Sequence, residues 1–290
     1  MVLFFITISF SQYREWEDLS VFKINTEQPH SFFIPYDKAG DSLTQTLNGT
    51  WDFKLYKIDD DIPKEFYKKS YNKSDWDKIP VPSNWQFHTE DFPVYTNIIY
   101  PYEINPPFMP SDYNPVALYK RNFDFNKDWE NMEVFIHFGA VNSAFYVWVN
   151  EKFVGYSEGS KTPAEFNLTD FLIDGHNEKV LKVIRWSDGT YLEDQDFWRL
   201  SGIERDVFLY AQPKLAVRDY FLKNYLNDDL TNSKINFEVD LKNYSNKGKD
   251  YQLITSIKKD NKVVFKKTKN GTIGSNDSQK ILINGEVTYP

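Results

Sequence analysis

Val141-Asn-Ser-Ala-Phe-Tyr-Val-Trp-Val-Asn-Glu-Lys-Phe-Val-Gly-Tyr156 decides the fold. Val141, Ser143, Phe145, Val147 and Val149 fall on one face of an extended chain, and Ala144, Tyr146 and Trp148 on the other. Asn150-Glu151-Lys152 reads as a turn, and Phe153, Val154 and Tyr156 return as a second arm, so the segment predicts a β-hairpin. Further strands flank it. Trp51, Phe53 and Leu55 alternate with Asp52, Lys54 and Tyr56. Val134 to Phe138, Val180 to Ile184 and Val207 to Tyr210 are short apolar runs. Asn167 offers a capping residue and one helical turn through Leu172. No long stretch carries a helical period.

These patterns predict an all-β chain. Residues 47–212 read as a jelly-roll β-sandwich. Residues 13–46 are polar and irregular and read as an N-terminal extension. Beyond Pro213 the chain turns rich in Lys, Asn and Asp. Ile235, Phe237, Val239 and Leu241 alternate with polar residues, as do Tyr251, Leu253, Thr255 and Ile257, and Asp260-Asn261 reads as a turn before Val263 to Phe265. This spacing predicts an immunoglobulin-like β-sandwich. Residues 213–290 number 78, against about 100 in a usual module. The second sandwich is therefore expected to be incomplete and truncated.

Composition narrows the chemistry. Twenty-four Phe, 19 Tyr and 8 Trp suit half-buried pleated surfaces. A net charge of −8 leaves no basic stripe to displace counterions from phosphates, so no nucleic-acid partner is expected. The absence of cysteine excludes disulfides, thiolate catalysis and Cys-based zinc sites. The four histidines show no metal-ligand spacing. Residues 1–12 form an apolar run too short to span a bilayer. They read as a signal-peptide remnant without a basic n-region, which favours export or the periplasm over the cytoplasm.

Two segments carry the functional signal. Residues 80–116 contain eight prolines. No helix interior or central strand accepts that density, so a long loop of fixed shape is expected, and such loops tend to be functional. Residues 185–199 hold Arg185, Asp188, Glu193, Asp194, Asp196 and Arg199 among Trp186, Tyr191, Phe197 and Trp198. Charges beside large aromatics need pairing or hydrogen bonds. A carbohydrate site has the same makeup: aromatic faces for the apolar side of a sugar ring, and carboxylates for its hydroxyls. The plain alternative stays open, namely an ion-pair cluster in which Arg185, Arg199 and Arg205 neutralise Glu193, Asp194 and Asp206.

The order of several runs resembles the N-terminal portion of the β-galactosidases of glycoside hydrolase family two. These runs are Leu47-Asn-Gly-Thr-Trp51, Val81-Pro-Ser-Asn-Trp-Gln86, Tyr95-Thr-Asn-Ile-Ile-Tyr-Pro101, Asn105-Pro-Pro-Phe108, Gly139-Ala-Val-Asn-Ser-Ala-Phe145, Val154-Gly-Tyr156, Arg185-Trp-Ser-Asp-Gly189, Tyr191-Leu-Glu-Asp-Gln-Asp196 and Trp198-Arg-Leu-Ser-Gly-Ile203. One run alone is weak; all of them in one order are specific. The resemblance implies a sugar-binding jelly roll, an immunoglobulin-like domain and then a catalytic barrel that supplies the acid/base and nucleophile glutamates of a retaining mechanism. No barrel motif is present in this sequence, so no catalytic residue is assigned to it and the chain alone is expected to be inactive.

Two substrate-binding positions carry over. Asn97 matches the asparagine that reaches into the galactose site. Asp196 matches the aspartate that contacts the sugar and a sodium ion, of which this chain would hold only a partial site. Asp188, Glu193 and Asp194 are expected to shape the loop. Trp85, Trp148 and Trp186 are expected in the core, while Trp198 is left open. The resemblance further implies sodium and magnesium for the full enzyme, a β-galactoside substrate, the barrel as partner, and room for a homo-oligomer. A free-standing carbohydrate-binding module without hydrolase activity is the alternative. Glu151 stands where many relatives place glycine, which puts the hairpin's turn type in question.

Overall fold

The computed structural model describes residues 14–288. The sequence's expectation of two successive β-sandwiches is what the chain forms. In the first, a seven-stranded sheet runs in the order Lys23–Ile24, Lys152–Ser157, Ala144–Val149, His176–Ile184, Val116–Asp124, Gly49–Tyr56 and Asp77–Val81. Facing it is a four-stranded sheet of Ala164–Asn167, Met132–Phe138, Val207–Pro213 and Thr44–Thr46. Every pairing is antiparallel. Between the sheets lie Trp51, Phe53, Tyr119, Phe138, Phe145, Val147, Phe166 and Leu181, all buried.

The Ala144–Val149 strand is covered on both faces, which explains its unbroken apolar run. Phe145, Val147 and Val149 point into the main core. On the back, Tyr146 meets Trp16 edge-on at 6.1 Å, and Trp148 stacks on Tyr67 at 5.8 Å. The covering pieces come from residues 14–24 and 57–76. The segment read as a polar extension thus supplies the buried Trp16 and two strands, Lys23–Ile24 and Thr44–Thr46, one to each sheet. Gly155 permits this close approach, because a Cβ there would lie 2.3 Å from the Ile24 carbonyl oxygen.

The hairpin turn is a pair of left-handed residues, Asn150 at φ 50° and Glu151 at φ 67°. That is the geometry whose twist matches the flanking strands. Glu151 adopts it without glycine, and its carboxylate accepts from the Lys69 backbone N–H at 2.7 Å. Residues 168–172 make the single helical turn expected, closed by the Leu172 N–H donating to the Leu168 carbonyl at 3.1 Å. Asn167 Oδ1 accepts from the Thr169 N–H at 2.9 Å. Residues 1–12, read as a signal-peptide remnant, lie outside the described residues.

The second sandwich sets Leu215–Leu226, Asn232–Asn243 and Ser278–Thr288 against the hairpin Lys249–Lys259/Lys262–Ile273. Val239, Leu241, Ile273, Ile281 and Ile283 fill the space between them. The Ser278–Thr288 strand is absent from the sequence reading. It pairs along its length with Asn232–Asn243. Five described strands stand against the seven of a complete constant-type module.

One carboxylate ties the parts together. Glu165 lies 2.8 Å from both His30 and His137, accepts from the Tyr210 hydroxyl at 2.7 Å, and meets Arg218 of the second sandwich at 3.2 Å. Ser31 reaches across to Asp219 and to the Tyr220 carbonyl, both at 2.7 Å.

Candidate functional site

The proline-rich loop has a fixed shape because it is bonded to the 185–199 stretch. Asp91, nearly fully buried, is the anchor. It accepts from Trp85 Nε1 at 2.6 Å, Gln86 Nε2 at 3.0 Å and the Tyr113 hydroxyl at 2.7 Å, and it pairs with the Arg185 guanidinium. Arg185 also donates to the Phe92 carbonyl at 3.1 Å. Four donors on one carboxylate meet the requirement that a buried charge be paired and hydrogen-bonded. Burial with Asp91 as partner also pushes the Tyr113 phenol up to about 12. Further along, the Tyr100 hydroxyl donates to the Tyr191 carbonyl at 2.7 Å, and the Tyr191 hydroxyl donates to the Phe108 carbonyl at 2.9 Å.

These clamps hold a two-stranded ribbon, Val94–Thr96 against Phe197–Arg199. Its register pairs Phe197 with Thr96, Trp198 with Tyr95 and Arg199 with Val94. Cross-strand partners share a face, and the face alternates along a strand. Asn97 and Asp196 flank the Phe197/Thr96 pair at the same end of the ribbon. They therefore share the face of Tyr95 and Trp198. All four side chains are exposed. The Tyr95 hydroxyl donates to Asp196 Oδ1 at 2.6 Å, and the Tyr95 and Trp198 rings meet at 5.5 Å. The Asp196 carboxylate raises the Tyr95 phenol above its ordinary range. Asn97 Oδ1 accepts from the Ile98 N–H at 2.9 Å, leaving its NH₂ group to face outward.

The other face of the ribbon points inward. Arg199 donates to Thr96 Oγ1 at 2.9 Å and to the Gln195 carbonyl at 2.8 Å, and pairs with Asp194. Glu193 accepts from the Ser160 N–H at 2.9 Å. Asp194 and Glu193 thus shape the loop. The ion-pair alternative holds for Arg199 and Asp194 alone. Arg185 pairs with Asp91, a residue outside the stretch. Arg205 donates to the Lys161 carbonyl at 3.2 Å, and Asp206 accepts from Asn48 at 2.9 Å.

A family profile described as "Glycosyl hydrolases family 2, sugar binding domain" matches residues 44–213. The chain belongs to this family. Within it, the chain is 40% identical over 255 residues to a Beta-galactosidase of Priestia megaterium (strain DSM 319 / IMG 1521), covering 83% of this chain and 25% of that one. It is 43% identical over 218 residues to a Beta-galactosidase of Vibrio vulnificus (strain CMCP6), covering 73% and 21%. The family 2 chain therefore spans about a quarter of the length of these relatives. Among solved structures, a Bacteroides uniformis beta-glucuronidase superposes with a TM-score of 0.70 at 20% identity, over 85% of this chain and 28% of that one. At that identity the likeness shows the fold.

The residues of the family 2 chain bear unequally on the two implied cations. Asp196 is a hard oxygen ligand with one oxygen bonded to Tyr95, which suits one corner of a sodium site. For magnesium, no group of three or more His, Cys, Asp or Glu side chains able to hold a metal occurs among the described residues. Glu158 and Asp188 are a pair of neighbouring carboxyls. Both are buried, and the two carboxyl groups interact with each other through a shared hydrogen bond. Burial, reinforced by Asp188, pushes the Glu158 carboxyl up to about 8. Two carboxylates fall short of a complete site.

Sequence reasoning missed Asp91 and Tyr95. Asp91 lies in the proline-rich loop, where no periodicity marks a burial face. Tyr95 had a usable signal: it stands two residues before Asn97 in an extended segment, and so on the same face.

Proposed function

We propose that this chain is the sugar-binding and scaffolding portion of a β-galactosidase that hydrolyses terminal β-D-galactosides with retention. The ribbon register supports it most, because two residues 99 positions apart, Asn97 and Asp196, are brought to one exposed edge. Asn97 Nδ2 donates to a sugar hydroxyl there. Asp196 accepts from a neighbouring hydroxyl, and its oxygens suit a sodium ion. Such a cation supplies charge that orients the bound hydroxyls. Tyr95 holds the carboxylate in place.

Retention needs two close carboxyls, one nucleophilic and one passing a proton. Glu193 and Asp194 do not provide them, since each is committed to loop contacts. The pair is assigned to a catalytic barrel as partner, none of which occurs among the described residues. The jelly roll's part is to bring a rigid, hydrogen-bonding edge to that partner.

The test is a galactose titration of the chain followed by ¹H–¹⁵N spectra, with and without sodium chloride. Weak binding that shifts the Asn97 side-chain amide, and is lost in Asn97→Ala and Asp196→Ala, supports the reading. Binding that both variants leave intact overturns it. The chain alone should not turn over a chromogenic β-galactoside.

A further inference from the structure

We propose that Lys179, sealed in the core of the first sandwich with no partner for its nitrogen, is an acid-sensitive latch: the sandwich closes on the amine and is loosened when that nitrogen takes up a proton.

Lys179 lies on His176–Ile184, fully buried, and its Nζ has no hydrogen-bond partner. It shares a face with Leu181 and Val183, which fill the space between the two sheets. Its nitrogen stands 4.2 Å from the centre of the Trp51 ring and 4.9 Å from that of Phe123. Two other lysines of the same sheet are treated differently. Lys120 is also buried, but it pairs with Glu178 at 3.0 Å and donates to the Lys68 carbonyl at 3.1 Å. Lys182 lies over the rings of Trp16 and Tyr146 and has Asp59 at 3.0 Å. Lys179 has the rings without the carboxylate.

The groups packed around it offer no counter-charge. Its cross-strand partner on Val116–Asp124 is Arg121, a second cation, which donates to the Leu47 and Asn48 carbonyls at 2.7 Å each. On the other side it pairs with Val149. On Gly49–Tyr56, Trp51 faces it, while Asp52 turns away to Lys73 and Lys78. On Met132–Phe138, Val134, Ile136 and Phe138 face the core; Glu133 and His137 lie on the outer face, bonded to Asn167 and Glu165. Glu178 is committed to Lys120.

Ring faces attract a cation, but that attraction is far smaller than the cost of taking an ammonium out of water with no counter-ion. An amine avoids the cost. Burial, with Arg121 adding to it, holds the Lys179 nitrogen well below the ordinary lysine range. Unfolding returns it to water, where it binds a proton below about pH 10.5. The unfolded chain then holds one proton more than the folded chain, so stability falls as pH falls from there towards the folded value.

Two measurements on the chain test the latch. With ¹³C and ¹⁵N in its lysines, the Nζ resonance of Lys179 at pH 9 should be that of an amine, set apart from the ammonium resonances of the exposed lysines. An ammonium resonance overturns the proposal. In urea denaturation, the folding equilibrium constant of the parent chain, divided by that of Lys179→Met, should fall about tenfold for each pH unit from 10 to 8, as uptake of one proton on unfolding requires. Methionine keeps the unbranched apolar stem and removes the titrating nitrogen, and the ratio cancels groups that titrate alike in both chains. A ratio that stays flat across this range overturns the proposal. If Lys179→Met does not fold, the Lys179 resonance of the parent chain decides by itself.

Discussion

The Tyr95 hydroxyl and the Asp196 carboxylate, 101 positions apart, are joined by a 2.6 Å hydrogen bond on the exposed face of a two-stranded ribbon. The bond occupies one carboxylate oxygen and aims the other. Removing the hydroxyl while keeping the ring, as in Tyr95→Phe, should weaken galactose binding several-fold without destabilising the fold. The bond has a spectroscopic signature. Asp196 holds the Tyr95 phenol above its ordinary range, so Asp196→Asn should lower the Tyr95 titration midpoint followed by ¹³C NMR. A midpoint unmoved by Asp196→Asn would mean that the two groups do not interact in solution.

The Asp91–Arg185 pair predicts a large stability effect far from the ribbon. Both side chains are essentially inaccessible. Removing one partner leaves the other charge buried and unpaired, which costs about 3–5 kcal/mol. Arg185→Met should lower the denaturation midpoint accordingly and expose the proline-rich loop to protease. A loss below about 1 kcal/mol, the worth of a surface pair, would show that Asp91 is solvated instead.

Glu158 should make the first sandwich less stable in base. Burial raises its carboxyl to about 8 in the folded chain from an ordinary 4.5. The folded state then holds a proton that the unfolded state has lost, so stability falls as pH rises between these values. Glu158→Gln keeps the acceptor for Tyr156 and removes the charge. It should be nearly neutral at pH 4.5 and stabilising by roughly 2–4 kcal/mol at pH 8, from about 1.4 kcal/mol per pKa unit. Equal effects at both pH values in urea denaturation would contradict this.

The Glu165 junction has the opposite dependence at its two ends. Burial works against the charge on Glu165, but its bonds to His137 and His30 outweigh that and pull the carboxyl well below the usual range. Burial also opposes the charge on His30, and the Glu165 bond overcomes it and raises the imidazole. The carboxylate's contribution is complete above about pH 4.5 and fades as pH falls through its lowered pKa. The histidine's is complete below about pH 6.5 and fades as pH rises through its raised pKa. Hydrogen exchange at residues 27–32 and 215–220 should therefore be slowest, after correction for intrinsic rates, near pH 5–6 and faster at pH 9. Protection unchanged at pH 9 would remove His30 from the clasp.

How much of this was legible follows from the range of each signal. Trp51 and Phe53, or Phe145 and Val147, announce their strands because period two is a local property. Asn97 and Asp196 were legible through resemblance alone. Their adjacency depends on the register of two three-residue strands about 100 positions apart, which no local pattern encodes. Residues 14–46 look polar because Trp16 and Leu43 reach the core singly, without a repeat. Ser278–Thr288 escaped notice because only Ile281, Ile283 and Val287 of its inner face are buried, and Gly285 interrupts the alternation. The Asp91 anchor gathers donors from Trp85, Gln86, Tyr113 and Arg185, and the last of these is 94 residues away.

The most direct measurement is a crystal of this chain soaked with galactose and sodium chloride. The account predicts density for a pyranose against the ribbon's outer face, with Asn97 Nδ2 and an Asp196 oxygen both within hydrogen-bond distance of its hydroxyls. A sugar bound elsewhere, with Asn97 and Asp196 contacting only water, would contradict it.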